Sequence, residues 1–92
     1  MAVFMVHISH NLEDTRKLIQ EHYPEPDRYS LADNAFLIRD DTIAQSVATK
    51  IGLDGNSEAQ GVVFRLNASY GGFDNRAIWD WLSHAENAAL RR

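Results

Sequence analysis

The stretch Ser69-Tyr70-Gly71-Gly72-Phe73-Asp74 has the residue types closest to those of a ligand site. Adjacent glycines let backbone N–H groups approach a bound group, and a helix starting just beyond them favours negative charge. Tyr70, Gly71, Gly72 and Phe73 are therefore the candidate ligand loop. Against this, the stretch has neither the G-x-G-x-x-G spacing nor the G-K-[ST] ending of nucleotide loops. A tight strand-to-helix turn needs the same glycines.

Other chemistry-bearing residues are dispersed. His7 and His10 stand three apart near the end of an apolar run, with His22 and His84 elsewhere. Zinc can use imidazoles alone, but two of them at this spacing match no ligand signature. Asp40-Asp41 is a carboxylate pair with no third ligand beside it, and it suits the start of a helix, where acids cap N–H groups and complement the dipole. Asp33-Asn34 reads as a hairpin turn. Serines occur at 9, 30, 46, 57, 69 and 83, none in a G-x-S-x-G elbow. No nucleophile with a paired base is visible, so no catalytic residue, metal ligand or cofactor is predicted.

Aromatic residues carry the remaining signals. Trp79 and Trp81 lie two apart, about 200° around a helix, and cannot share one core stripe. One should pack inward and the other stay partly exposed or enter a partner interface, where tryptophan is enriched. Tyr29, Tyr70 and Phe73 could stack bases, but such platforms normally combine rings with cations. The chain has nine Lys/Arg against thirteen Asp/Glu, a net charge of −4, and few adjacent bases. Nucleic acid is thus disfavoured as a partner.

Ninety-two residues, 45% hydrophobic and 24% charged, make one domain spanning 1–92. The absence of cysteine suits a reducing compartment. The apolar run at Ala2 to Val6 is too short for a signal peptide or a membrane span, so a cytoplasmic protein is expected, with no membrane partner.

Hydrophobic periodicity places these residues on elements. Val3-Phe4-Met5-Val6-His7-Ile8 reads as a central strand. Asn11 should cap a helix with Leu12, Thr15, Leu18, Ile19 and His22 or Tyr23 on one face, ended by Pro24 and Pro26. Arg28–Leu31 and Ala35–Arg39 read as a hairpin. Thr42-x-x-Gln45 fits a capping box opening a helix with Ile43, Val47 and Ile51 as its stripe, stopped by Gly52. Gln60 to Asn67 reads as a fourth strand. A final helix capped by Asp74 or Asn75 carries Ile78, Leu82, Ala85 and Ala89, with Arg91 and Arg92 at its end. The order β-α-β-β-α-β plus an extra C-terminal helix predicts an α+β ferredoxin-like sandwich with a four-stranded antiparallel sheet. In strand order 4-1-3-2 the second and fourth strands are edges. Arg28 and Ser30 would protect one edge, whereas Val62, Val63 and Phe64 make the other unusually apolar.

The N-terminal strand, the Asp33-Asn34-Ala35-Phe36-Leu37-Ile38 hairpin, and Gly71-Gly72-Phe73 followed by Trp79-Asp80-Trp81-Leu82 together resemble a known group. These are the small ferredoxin-like proteins of the SinR type, related to the CRISPR-associated endoribonuclease-like and integration-complex subunit family. The resemblance spans most of the chain and implies the same fold, a homodimer, and nucleic acid as substrate or ligand. In the CRISPR-associated members an aspartate ends the first strand, and a pair of them is proposed to hold a divalent metal. Ser9 or a neighbour occupies that position here, and the first acid after it is Glu13. Hard divalent cations want carboxylate oxygens, so metal-dependent nuclease activity is not expected. Two functions follow. The first is a non-enzymatic interaction or regulatory homodimer joined through Val62, Val63, Phe64, Trp79 and Trp81. The alternative is a CRISPR-associated-nuclease-like protein that binds or cleaves nucleic acid.

Overall fold

A computed structural model describes residues 2–67, 71–72 and 76–90, with side chains of the last segment described through 85. Strand β1 (Ala2–His10) is followed by helix α1 (Leu12–His22), a 3-10 turn at Glu25–Asp27, and strands β2 (Arg28–Ala32) and β3 (Ala35–Asp40). Helix α2 (Ala44–Lys50), strand β4 (Gln60–Arg65) and helix α3 (Arg76–Leu90) complete the chain. All three strand pairings are antiparallel, in spatial order β2-β3-β1-β4. This is the α+β ferredoxin-like arrangement that the sequence pattern predicts.

The two most apolar strands lie in the middle, and each serves both faces of the sheet. On one face Phe4, Val6 and Ile8 of β1 and Phe36 and Ile38 of β3 pack with Ile19 and Tyr23 from α1 and Val47 and Ile51 from α2. On the other, Val3 and Leu37 pack against Ile78, Leu82 and Ala85 of α3. The period of two along a strand explains the division, since neighbours in sequence point to opposite faces. The predicted α1 stripe is buried at Thr15, Ile19 and Tyr23, and α3 buries Ile78, Leu82 and Ala85. The expected α3 caps at Asp74 or Asn75, the Ala89 side chain, and Arg91 and Arg92 lie outside the described residues.

The helix starts differ from expectation. Asn11 adopts a left-handed conformation (φ 57°), and its amide donates to the Asp14 carboxylate instead of accepting a backbone N–H. The capping box at Thr42 and Gln45 does not form, because α2 begins later, at Ala44, after an extended Ile43. Ile43 thereby falls out of the helical period and is 60% exposed, while Val47 and Ile51 keep their place in the core. Asp40 ends β3 and is not the first turn of α2. Its carboxylate is held by longer-range partners, described below. Gly52 does end the helix region, at φ 83°, where a Cβ would also press on Leu18.

Gly61 has a role that its surroundings in sequence do not reveal. It lies opposite Ile8, beside the register shift between Ile8 and His10. A Cβ built there collides with the His7 carbonyl oxygen and stands 3.1 Å from a Leu53 methyl. Glycine in a strand often marks such a close backbone approach. Replacing Gly61 with Ala must open the β1–β4 pairing or displace Leu53. The expected outcome is a loss of about 1–3 kcal/mol, the usual cost of overpacking. Urea denaturation of the variant beside the parent chain measures it, and an unchanged midpoint contradicts the collision.

Candidate functional site

Strand β4 is an edge, and alternation sorts its residues. Val63 lies opposite Val6 and packs against the core formed with α1 and α2. Val62 and Phe64 lie opposite His7 and Met5 on the other face, where they are 48% and 53% exposed. The Leu66 N–H donates to the Val3 carbonyl at 2.8 Å. By the alternation of an antiparallel ladder, Val62 and Phe64 then also bond inward, and Gly61, Val63 and Arg65 turn their N–H and C=O groups to the open edge.

Helix α3 covers only part of that second face. Its buried stripe sits on Val3 of β1 and Leu37 of β3, joined by Tyr29 and Leu31 of β2. It stops short of Val62 and Phe64. The sequence predicts one tryptophan packed inward and the other partly exposed or in a partner interface, and in the structure both are partly exposed. Trp79 and Trp81 flank the stripe, both half-buried against the same cluster. The Trp81 ring stands 6.2 Å from that of Tyr29, tilted by 43°. Of the five predicted interface residues, Val62 and Phe64 present their side chains outward, Val63 presents its backbone, and the tryptophans belong largely to the domain's own second core.

In the candidate ligand loop, Gly71 and Gly72 are exposed. Tyr70 and Phe73, of the candidate loop and of the aromatic platform with Tyr29, lie outside the described residues. The histidines remain apart. His7 approaches the Asn34 amide at 3.4 Å, and the His84 Nδ1 lies 3.1 Å from the Asp80 carbonyl one turn earlier in α3. Ser9, near the end of β1, donates its hydroxyl to the Gln60 carbonyl at 3.2 Å and so ties β1 to β4. Among the described residues, no group of three or more His, Asp or Glu is placed to hold a metal ion. No helix among them is long and apolar enough to cross a membrane.

Among the described residues, a polar cluster that the sequence does not announce gathers on Asp40. One Asp40 oxygen accepts both the Tyr23 hydroxyl at 2.6 Å and the Lys50 ammonium at 2.8 Å, and the other accepts the Asp41 N–H. The Lys50 ammonium also lies 5.7 Å from the centre of the Tyr23 ring. This knot joins the ends of α1, β3 and α2. Burial alone would push the Asp40 carboxyl up, but the hydrogen bonds from Lys50, Tyr23 and Asp41 and the charge of Lys50 outweigh it and hold it below the ordinary carboxylate range. Burial, together with the adjacent carboxylate, pushes the Tyr23 phenol well above its ordinary value. A second ion pair, Arg39 to Asp27 at 2.6 Å, fastens the 3-10 turn to β3.

These shifts fix how stability responds to pH. A carboxyl whose folded pKa is depressed stabilises the fold above its unfolded value, near about 4, and that contribution is lost as pH falls through the folded value. A phenol whose folded pKa is raised contributes fully below its unfolded value, near about 10, and loses the contribution as pH rises beyond it. Urea midpoints should therefore fall in acid below about pH 4 and in alkali above about pH 10. Asp40→Asn should flatten the acid limb. Tyr23→Phe should flatten the alkaline limb and cost about 1.5–3 kcal/mol at neutral pH, the range for a hydrogen bond to a charged group. Limbs unchanged in both variants would show that the knot is not linked to folding. Compared with models of protein families and with curated proteins, the chain matches none.

Proposed function

We propose that the protein is a small non-enzymatic interaction module that pairs with a second copy of itself through β4. The observation that carries this reading is an edge strand with Val62 and Phe64 about half exposed on the face that α3 leaves uncovered. An apolar edge with outward N–H and C=O groups is a template for another strand. In a two-fold antiparallel pairing centred on Val63, the outward-facing Gly61 of one copy meets Arg65 of the other. Val62 and Phe64 then face each other across the junction, on the open side. Cross-strand aromatic and β-branched pairs of this kind are favourable.

Magnitudes limit the strength of the pairing. Completing the burial of four half-exposed side chains contributes roughly 4 kcal/mol, no more than the cost of association itself. The new backbone hydrogen bonds must supply the rest, so the dimer is expected to depend on concentration.

Sedimentation equilibrium over the micromolar range tests this reading. The parent chain should move from monomer to dimer with concentration. Phe64→Glu should weaken association at least tenfold, which corresponds to about 1.4 kcal/mol, while leaving the monomer folded because the side chain is exposed. Val63→Asp is the wrong probe, since Val63 packs on the core. A parent chain that stays monomeric at every concentration, or a Phe64→Glu variant that dimerises equally well, rules the proposal out.

A further inference from the structure

At the other end of the sheet, independently of β4, a groove of about 510 Å³ runs along β2 beneath α1. It exists because two helices cannot cover four strands. Helix α2 lies over β4 and helix α1 over the centre, which leaves the inner face of β2 open. The volume falls within the range of small-molecule sites. Phe36 gives it an apolar floor, with Ile19 fully buried behind, and Arg16, Glu25, Arg28 and Asp33 line it with charge.

The charges in this groove are not matched to one another. Elsewhere Arg39 pairs with Asp27 and Lys50 with Asp40. Arg28 is half-buried yet makes no ion pair among the described residues, and the one side-chain hydrogen bond it makes among them runs from Nη1 to the Tyr23 carbonyl at 2.6 Å. One arm of the guanidinium is thus pinned while the rest of the fork stays available, a preorganised receptor for a carboxylate. Arg16 donates to the Asp33 carbonyl at 3.2 Å and holds the exposed Glu13 only loosely, at 3.4 Å. The Glu25 and Asp33 carboxylates, from the turns before and after β2, have no cationic partner among the described residues.

Two guanidinium groups and two carboxylates around an apolar floor make a lining of zero formal charge. A polyanion would meet repulsion from Glu25 and Asp33, and a plain cation would meet Arg28. We infer that the α1–β2 groove binds a small zwitterion of the α-amino acid class. Its carboxylate lies on Arg28, its ammonium is drawn to Glu25 in the turn just before that strand, and its apolar side chain rests over Phe36.

The test is a titration of the ¹⁵N-labelled full chain with L-phenylalanine, phenylacetate and phenethylamine at constant ionic strength, followed by amide chemical shifts. L-Phenylalanine should produce saturable shifts at Gln20, Arg28 and Ser30, and should bind more tightly than either analogue lacking one charge. Arg28→Gln should weaken it about tenfold, the loss expected for a charged hydrogen bond. Should that variant not fold, Gln20→Trp, which fills the groove from an exposed position on α1, should abolish the shifts. Absence of saturable shifts with L-phenylalanine overturns the inference. So does phenylacetate binding as tightly as the amino acid, or binding unchanged in whichever of the two variants folds.

Discussion

A four-stranded sheet whose central strands are apolar on both sides must have both faces covered. Everything else in this molecule answers that constraint. Strand β1 alternates between Phe4, Val6 and Ile8 on one face and Val3 and Met5 on the other, so no single layer of helices can satisfy it. Fully burying one such side chain contributes roughly 1.5–3 kcal/mol, a large share of the stability of a domain this small. Helices α1 and α2 shield one face, and α3 returns over the second. Neither layer reaches the whole width of the sheet, and the two shortfalls fall at opposite edges.

Much of this was legible in the chain. The nearly unbroken runs at Val3 to Ile8 and Ala35 to Ile38 suit strands covered on at least one face, and the topology gives these two most apolar strands the central positions. Strand order, hairpin and helix stripes follow from that one reading. The apolar character of Val62 and Phe64 was also visible, and their exposure was foreseeable once β4 became an edge. That α3 covers Leu37 and leaves Phe64 open was not legible, because it depends on the angle at which a helix crosses the sheet.

The departures from the local sequence pattern share one physical origin. Thr42 and Gln45 carry the residue types of a capping box, and a local reading starts α2 there. The structure instead spends Asp40 on Tyr23, seventeen residues away, and Lys50, ten residues away. Tertiary contacts outbid local capping preferences, which are worth only about 1 kcal/mol. Gly61 is similar. Its requirement arises from the close approach of β1 at a register shift, and nothing within β4 itself announces it. In sequence Arg28 reads as an edge-protecting charge. Its pinned guanidinium appears only when the chain turns back through the 3-10 segment to place the Tyr23 carbonyl beside it.

The two edges of the sheet therefore differ in kind. At β2 Arg28 and Ser30 turn toward the groove beneath α1, opposite Ile38 and Phe36, and a cation this close to an edge discourages a second strand because two copies would set like charges near each other. The groove beside it is walled by α1, which leaves room for a small molecule and little for a folded partner. At β4 the exposed side chains are apolar and the backbone groups of Gly61, Val63 and Arg65 face outward, with Arg65 alone bringing charge. A small ligand gains little on so flat a surface, whereas an extended strand can satisfy the hydrogen bonds and cover Phe64 together. The same incomplete coverage thus yields a pocket at one margin and a pairing edge at the other, and side-chain charge decides which margin becomes which.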